Sequence, residues 1–299
     1  MQLKGLILSI LYPLFKRLKV CQFSVLIFFV STSLLAKPFA NNLHDRELEQ
    51  YFKLSGINEL LDSIPEQLKF MQIDAEAEYG IESSDNQISL ALLEAWDDKK
   101  IKFALKAKIA EAVTSQQLSA LIKWQSSVLA QHIKQKDLAA EHDNFEQEFV
   151  QFVANIPANM PDKNHRVAIN KVIDAKRMVD NMIDLTISVS RPVLLALVNS
   201  ESAESENMSV ADVERQLVEL EQLLQNDLSH QISMLSYFLY KDLSITELNQ
   251  YAHFYQSELG LLELSLLNQA LHYSIALWQS AYVGNSPHIL LTKRAKKKK

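Results

Sequence analysis

Apolar residues recur every three or four positions along most of the chain, which is the spacing of helices that bury one face. In the first half this spacing predicts helices over residues 45–62, 65–75, 86–112, 114–136 and 145–153. In the second half it predicts helices over 166–183, 185–198, 244–259 and 261–282, and one that begins at residue 209. Pro192 predicts a kink or a boundary within its segment. Because no segment keeps the two-residue period of a strand, the predicted fold is all-α, a helical bundle.

Two of the predicted helices align with each other without a gap, at an offset of 130 residues. Each begins with a capping box, in which a hydroxyl and a Gln or Glu three residues later bond each other's backbone amides. The pairs are Thr114 with Gln117, and Ser244 with Glu247. Apolar positions then repeat in the pairs Leu118/Leu248, Leu121/Tyr251, Trp124/Phe254 and Leu129/Leu259.

The repeat predicts two related helical units, over residues 37–156 and 165–284. The segment 157–164 is predicted to be a linker, because it contains two prolines close to Asn and Asp residues. Upstream of the repeat, the residues after His44 loosely resemble those after His165. The alternative is that amphipathic helices of similar composition align by chance.

The first 36 residues have the pattern of a secretory signal peptide. They carry Lys4, Lys16, Arg17 and Lys19 without an acidic residue, and 17 uncharged residues then end at Ala36. We therefore predict cleavage after Ala36 and a periplasmic or secreted protein. The alternative is an uncleaved N-terminal membrane anchor, which also leaves the body outside the cytoplasm.

Composition and charge exclude some kinds of site and argue against one class of partner. The chain has 5 Gly and 1 Cys, and the Cys lies within the predicted signal, so a thiolate zinc cluster or a disulfide framework is excluded. The formal charge is −6, and the body without signal and tail is about −16, which argues against nucleic acid as a partner. Residues 285–299 are predicted to form a disordered tail, whose last seven residues carry a charge of +6. The alternative role for this tail is weak contact with an anionic membrane surface.

The chain lacks the motifs of common catalytic and cofactor sites. No phosphate loop, dinucleotide fingerprint or nucleophile elbow occurs, and no Glu-x-x-His suggests a di-metal bundle. The pairs Asp162/His165 and Asp227/His230 fit solvated polar residues near helix ends better than metal ligands. His253 and His272, which stand among apolar residues, are predicted to be buried and hydrogen-bonded. We therefore predict no catalytic residue, no cofactor and no metal site.

The second copy of the repeat contains a string that resembles a known family. Glu247-Leu248 is followed by Phe254-Tyr255-x-Ser257-x-x-Gly260. This is similar to the bacterial exported family called domain of unknown function 2059, which has an acidic residue and Leu, then Phe-Tyr-x-Ser-Pro-x-Gly. The chain departs from that pattern at residue 258, where Glu replaces the usual Pro. The resemblance implies an α-helical exported protein and implies no activity.

The residues of this motif have physical roles that do not require a ligand. Gly260 permits either a turn with positive φ or the close approach of another helix. Ser257 can bond a carbonyl one turn earlier, and Phe254 and Tyr255 can anchor the core. We therefore expect the motif to be structural, with a ligand or partner site as the alternative.

Taken together, the sequence predicts an exported protein of unknown activity that acts as a non-catalytic binding or interaction module in the periplasm or envelope. Its partner would be an unknown protein or a small apolar ligand. One alternative is a hydrolase-type enzyme with a site between the two halves. The other is a structural component of the envelope.

Overall fold

The computed structural model describes residues 42–59, 61, 95–138, 144–199 and 209–296. Its regular elements are all helices across these ranges, so the protein is an all-α helical bundle, as the sequence predicts. The predicted signal 1–36 and the predicted helix 65–75 lie outside the described residues. None of the helices within the described ranges combines the length and the apolar character needed to cross a bilayer.

The bounds of eleven helices lie within the described ranges. The first five are α1 (Asn42–Ser55), α2 (Asp98–Ala112), α3 (Ser115–Gln125), α4 (Val128–Leu138) and α5 (Phe145–Ala154). The other six are α6 (Ile156–Asn159), α7 (Lys163–Ala175), α8 (Met178–Asn199), α9 (Val210–Leu239), α10 (Ile245–Gln256) and α11 (Glu258–Lys296). Among the described helices, capping boxes form at Thr114, Ser209 and Ser244.

The predicted helix 114–136 is wrong as a single element, because it breaks at Ser126 and Ser127. The hydroxyl of Ser127 accepts a hydrogen bond from the Ala130 amide at 3.2 Å and so begins a new helix, α4. The predicted helix 166–183 also breaks, at Lys176 and Arg177. Arg177 has φ 49°, in the left-handed region, and this turns the chain from α7 into α8.

Three other predicted boundaries differ from the structure. Residues 86–94 of the predicted helix 86–112 lie outside the described residues; within them, α2 begins at Asp98, because the Asp97 side chain caps it by accepting from the Lys100 amide. Pro192 lies within α8 without ending it, since packing along α9 outweighs the loss of one backbone hydrogen bond. Helix α11 continues to Lys296, where the sequence predicts a disordered tail, because residues 288–296 are mostly good helix formers.

The apolar side chains form two main buried clusters. The first, core A, comes from α1, α2 and α3, and includes Tyr51, Phe52, Leu118 and Leu121. The second, core B, comes from α4, α5 and α7 to α11. Helix α11 contributes to both cores, with Leu266 and Leu267 in core A and Leu271 and Ile275 in core B. The division between the cores therefore does not follow the predicted linker 157–164, since Ile133 and Phe152 already belong to core B.

Candidate functional site

The family-like motif occupies the start of α10 and its junction with α11. The Glu247 carboxylate accepts hydrogen bonds from the backbone amide of Ser244 at 2.8 Å and from its hydroxyl at 2.7 Å. Its other oxygen lies 3.2 Å from Nδ1 of His132 on α4. These bonds hold the pKa of Glu247 below its ordinary value. Leu248, the next residue of the motif, is buried in core B.

Ser257 and Gly260 form the junction between α10 and α11. The Ser257 hydroxyl donates to the Phe254 carbonyl at 2.6 Å and accepts from the Gly260 amide at 3.2 Å. It therefore closes one helix and begins the next, as the predicted backward bond requires. A Cβ on Gly260 would lie 2.1 Å from the Phe254 carbonyl oxygen. Of the two roles predicted for Gly260, the structure supports close helix approach, since the positive-φ residues among those described are Gly56 and Arg177.

The two aromatic residues of the motif are packing anchors. Phe254 stacks on Trp124, its counterpart in the repeat, with ring centroids 3.8 Å apart and ring planes 10° apart. Tyr255 is buried and makes edge contacts with the rings of Tyr251 and Phe254, each with a centroid distance of 5.0 Å. Both residues therefore support the structural interpretation of the motif. Tyr255 also reaches a group of buried polar side chains that the sequence does not predict.

The histidines singled out in the sequence lie apart from one another. The prediction for His253 is wrong, because this side chain is exposed on the outer face of α10. His272 is half-buried, and its Nδ1 lies 3.2 Å from the Ser188 hydroxyl. Asp162 caps α7 by accepting from the Asn164 and His165 amides at 2.8 and 3.0 Å, while His230 is exposed. Within the described ranges, no three His, Cys, Asp or Glu side chains come together to hold a metal ion.

Where the two cores meet, eight polar side chains form one group, which we call the buried polar cluster. Its members come from seven helices or helix ends: Tyr51, Gln125, Asp137, Lys176, Tyr240, Tyr251, Tyr255 and Glu263. Every member except the half-buried Asp137 is less than 9% exposed. Buried charges are rare in proteins, so a group of this kind identifies the candidate functional site.

At one end of the cluster, the other side chains surround Glu263 of α11, which is 0% exposed. Its Oε1 accepts hydrogen bonds from the Tyr51 hydroxyl at 3.1 Å and from the Gln125 side-chain amide at 2.7 Å. Its Oε2 is buried and makes no hydrogen bond. The carboxyl of α11 thereby joins α1 and the end of α3.

Lys176 and Asp137 form the other end of the cluster. The Lys176 ammonium donates to the Tyr251 hydroxyl at 3.0 Å and lies 4.9 Å from the centre of the Tyr255 ring. Asp137, on α4, accepts a hydrogen bond from the hydroxyl of Tyr240 at 2.9 Å. Lys176 stands at the end of α7 and Tyr240 at the end of α9, so this end of the cluster gathers helix termini.

Burial shifts the ionisation of these groups toward neutral forms. It raises the pKa of the Asp137 carboxyl to about 7, against the opposing charge of Lys176 and the hydrogen bond from Tyr240. It lowers the pKa of Lys176 to about 8, although the charges of Asp137 and Glu263 act in the other direction. Burial likewise raises the pKa of Glu263, against hydrogen bonds from Gln125 and Tyr51.

The ionisation of Lys176 and Asp137 is coupled. Burial disfavours the charged form of each group, whereas the attraction between the two charges favours the ion pair. The tyrosine hydroxyls remain protonated, because burial raises the pKa of Tyr51, Tyr240 and Tyr251 well above the ordinary value. The hydroxyls of Tyr51 and Tyr240 therefore donate to the carboxyls of Glu263 and Asp137, whereas the Tyr251 hydroxyl accepts from Lys176.

Sequence reasoning did not identify these residues as a site, although one signal was present. Glu263 stands alone within Leu261-Leu262-Glu263-Leu264, and a lone carboxylate within an apolar helical stretch indicates a buried charge with a partner. The partners themselves carry no such signal, because Tyr51 lies 212 residues and Gln125 lies 138 residues from Glu263 along the chain.

Comparison of the chain with protein-family models, curated proteins and solved structures finds no match. The resemblance to the domain of unknown function 2059 family therefore stays a prediction that rests on the motif at Glu247 to Gly260.

Proposed function

We propose that the protein is an exported, non-catalytic binding or interaction module of the periplasm or cell envelope, whose partner is an unknown protein or a small apolar ligand. The signal-like pattern of residues 1–36 supports the export, and the acidic body argues against nucleic acid. Exposed apolar side chains, foremost Val128 at 88% and Phe103 at 78%, offer apolar surface to a partner.

The observation that carries the non-catalytic part of this proposal is the closure of the buried polar cluster. Its ionisable groups converge from distant parts of the chain and bond to one another or to tyrosine hydroxyls of the cluster. Glu263 and Tyr51 are 0% exposed and Lys176 is 2% exposed, so a substrate has no contact with them in this conformation. Groups arranged in this way stabilise and orient helices rather than act on a bound molecule.

We also propose that the chain is built from two related helical units. This proposal is supported by a hydrogen-bond pattern that occurs at two places in the chain, 130 residues apart. In each copy a serine amide donates to a carbonyl three residues earlier at 2.9 Å, and its hydroxyl accepts from the amide three residues later at 3.2 Å. These serines are Ser127 and Ser257.

Native mass spectrometry of protein purified from a periplasmic extract tests the binding function. We expect a species heavier than the mature chain that loses the added mass on denaturation, or a co-purifying protein at constant stoichiometry. A chain that carries no added mass and no partner in extracts from several growth conditions would refute the proposal. The same spectrum tests export, because cleavage after Ala36 leaves a chain that begins at Lys37.

A hydrolase-type enzyme is the second candidate, and the observation that favours it is the convergence of Asp137, Lys176 and Glu263 with shifted pKa values. It requires an open conformation that admits a substrate to these groups. Hydrolysis of a substrate library by the wild-type chain that is lost in Glu263→Gln, while the variant keeps the wild-type unfolding midpoint, would establish this candidate. A structural envelope component is the third candidate, and constitutive oligomers without a ligand would favour it.

The basic tail is a separate part of the proposal. We expect weak binding of residues 293–299 to anionic vesicles, at about 1 kcal/mol for each basic residue near the surface. Cosedimentation with phosphatidylglycerol vesicles at low salt tests this expectation. A chain that ends at residue 292 and still sediments as strongly as the full chain would contradict it.

A further inference from the structure

The two copies of the repeat differ at the positions that the buried polar cluster occupies. Five members of the cluster lie on α3, α4, α10 and α11, along which the offset of 130 residues continues without a gap: Gln125, Asp137, Tyr251, Tyr255 and Glu263. Three of the five have a buried aliphatic residue at the equivalent position of the other copy, in the pairs Glu263/Ile133, Asp137/Leu267 and Tyr251/Leu121. The remaining two, Gln125 and Tyr255, are equivalent to each other, so the copies carry different polar groups there.

The positions that start the helices and make their apolar contacts are alike in both copies. Leu118 and its equivalent Leu248 are both buried, and Ser127 and its equivalent Ser257 each accept a hydrogen bond from the amide three residues later at 3.2 Å. Two similar pairs of helices in one chain offer each other's helices as competing packing partners. Because the apolar positions repeat, they do not by themselves distinguish α4 from α11.

Glu263 lies in the middle of an apolar stripe on α11. The residues three or four positions from it, and one full two-turn repeat further on, all contact core A: Leu259, Leu262, Leu266, Leu267 and Ala270. A carboxyl within such a stripe is unfavourable unless polar groups meet it. Here the Tyr51 hydroxyl of α1 and the Gln125 side-chain amide at the end of α3 both donate to its Oε1, at 3.1 and 2.7 Å.

Other arrangements of these helices would leave the carboxyl without its donors. A slip of α1 by one helical turn would move the Tyr51 hydroxyl by about 5 Å. An exchange of α4 with α11 would bring Ile133, which belongs to core B, against Tyr51 and Gln125, and would place Glu263 among aliphatic side chains. Three buried polar groups would then lose their partners. In coiled coils a single buried polar residue selects one arrangement of helices in this way, at a cost in stability.

We propose that Glu263 is a specificity residue for helix pairing, which makes α11 dock against α1 and the end of α3 in preference to other arrangements. This inference rests on the proposed repeat only for the identity of the competing helix, α4. The bonds of Glu263 to Tyr51 and Gln125 then determine which arrangement forms rather than how stable it is. Since Tyr51 and Glu263 are 212 residues apart, local sequence cannot fix this pairing.

A triple variant of the mature chain separates choice of arrangement from stability. Glu263→Ile introduces the residue of the other copy, while Tyr51→Phe and Gln125→Leu remove the two donors together with the acceptor. Replacement of a buried polar group and its partners by apolar groups of similar shape is often neutral or stabilising. We therefore expect the triple variant to unfold at a urea concentration equal to or above that of the wild type. A triple variant that does not fold, or that unfolds below the wild type, would assign the bonds to stability and overturn the proposal.

Fluorine NMR of the chain labelled with fluorotryptophan counts the arrangements. The chain has 3 Trp, of which Trp124 stacks on Phe254 and Trp96 contacts Trp278 of α11, so the three rings report on the helices concerned. The wild type should give one resonance for each Trp. Glu263→Gln is the matched control, because it keeps an acceptor for both donors and should give the wild-type number. The triple variant should give additional resonances, and one resonance for each Trp in that variant would overturn the proposal.

Nuclear Overhauser contacts in the triple variant distinguish this inference from the proposed repeat. Contacts between α1 and the Ile133 side chain in the additional species would support both, because they show the exchange of equivalent helices. Additional species in which α1 has only slipped along α11 would support the selection by Glu263 and contradict the repeat as the source of the competing helix.

Discussion

Gly260 offers the sharpest test of how α10 and α11 are joined. It is the third residue of α11, and a Cβ built on it would lie 2.1 Å from the Phe254 carbonyl oxygen and 2.6 Å from the Tyr255 Cα. Ordinary contact begins at 3.4 Å, and both of these atoms belong to the backbone. A flexible side chain could move away from an added methyl group, but the last turn of α10 can move only as a unit.

Two opposing effects set the magnitude for Gly260→Ala. Alanine favours the helix over glycine by about 1 kcal/mol. Forcing two backbone segments apart in a packed core costs about 1–3 kcal/mol or more, and here the shift also disturbs Phe254 against Trp124 and Tyr255 in the cluster. Since the overlap is large, we expect a net loss of about 2 kcal/mol in the free energy of unfolding.

Urea unfolding followed by tryptophan fluorescence measures this loss, and Trp124 reports it locally because it stacks on Phe254. Gly56→Ala is the first control. Gly56 has φ 87°, but its nearest neighbour is the flexible Lys134 side chain at 3.5 Å, so only backbone strain of about 1 kcal/mol is expected. Ala130→Gly, at the equivalent position of the first copy, should lose about 1 kcal/mol through helix propensity. A Gly260→Ala variant as stable as the wild type, or less affected than Gly56→Ala, would refute the argument from close approach.

Three further predictions concern the cluster and the helix junction. Glu263→Gln keeps an oxygen that accepts from Tyr51 and Gln125 but removes a buried carboxyl whose pKa burial raises, so at pH 8 the variant should unfold at an equal or higher urea concentration than the wild type. Glu263→Leu leaves both donors without an acceptor, so its free energy of unfolding should fall by about 2 kcal/mol. Lys176 has a folded-state pKa of about 8, below its ordinary 10.5, so wild-type stability should rise between pH 8 and pH 10 and Lys176→Met should lack that rise in parallel urea curves. Ser257→Ala removes the cap of α11 and should lower the thermal unfolding midpoint by an amount matching about 1 kcal/mol, and an unchanged midpoint would contradict this role.

Features that depend on neighbours within one helical turn could be predicted from the sequence. The capping boxes at Thr114 and Ser244 each involve a residue three positions away, and both form. The all-α class is also confirmed, and of the two roles predicted for Gly260 the structure supports close approach. The missed break at Ser127 has a local signal, since Ser127 is a capping residue within an apolar stretch whose period continues through it. The missed break at Arg177 depends on a left-handed backbone conformation of a non-glycine residue, which the sequence does not indicate.

The tertiary structure alone decided how the helices share their cores and where the ionisable groups meet. Helical periodicity indicates which residues of a helix face inward. It does not indicate which other helix they pack against, because the choice of packing partner depends on contacts between residues far apart in sequence. Lys176 and Glu263 are polar residues at inward positions, and only packing shows that they meet tyrosines from α1 and α10. Burial then changes their chemistry, since the loss of solvation raises the pKa of the carboxyl and lowers that of the ammonium.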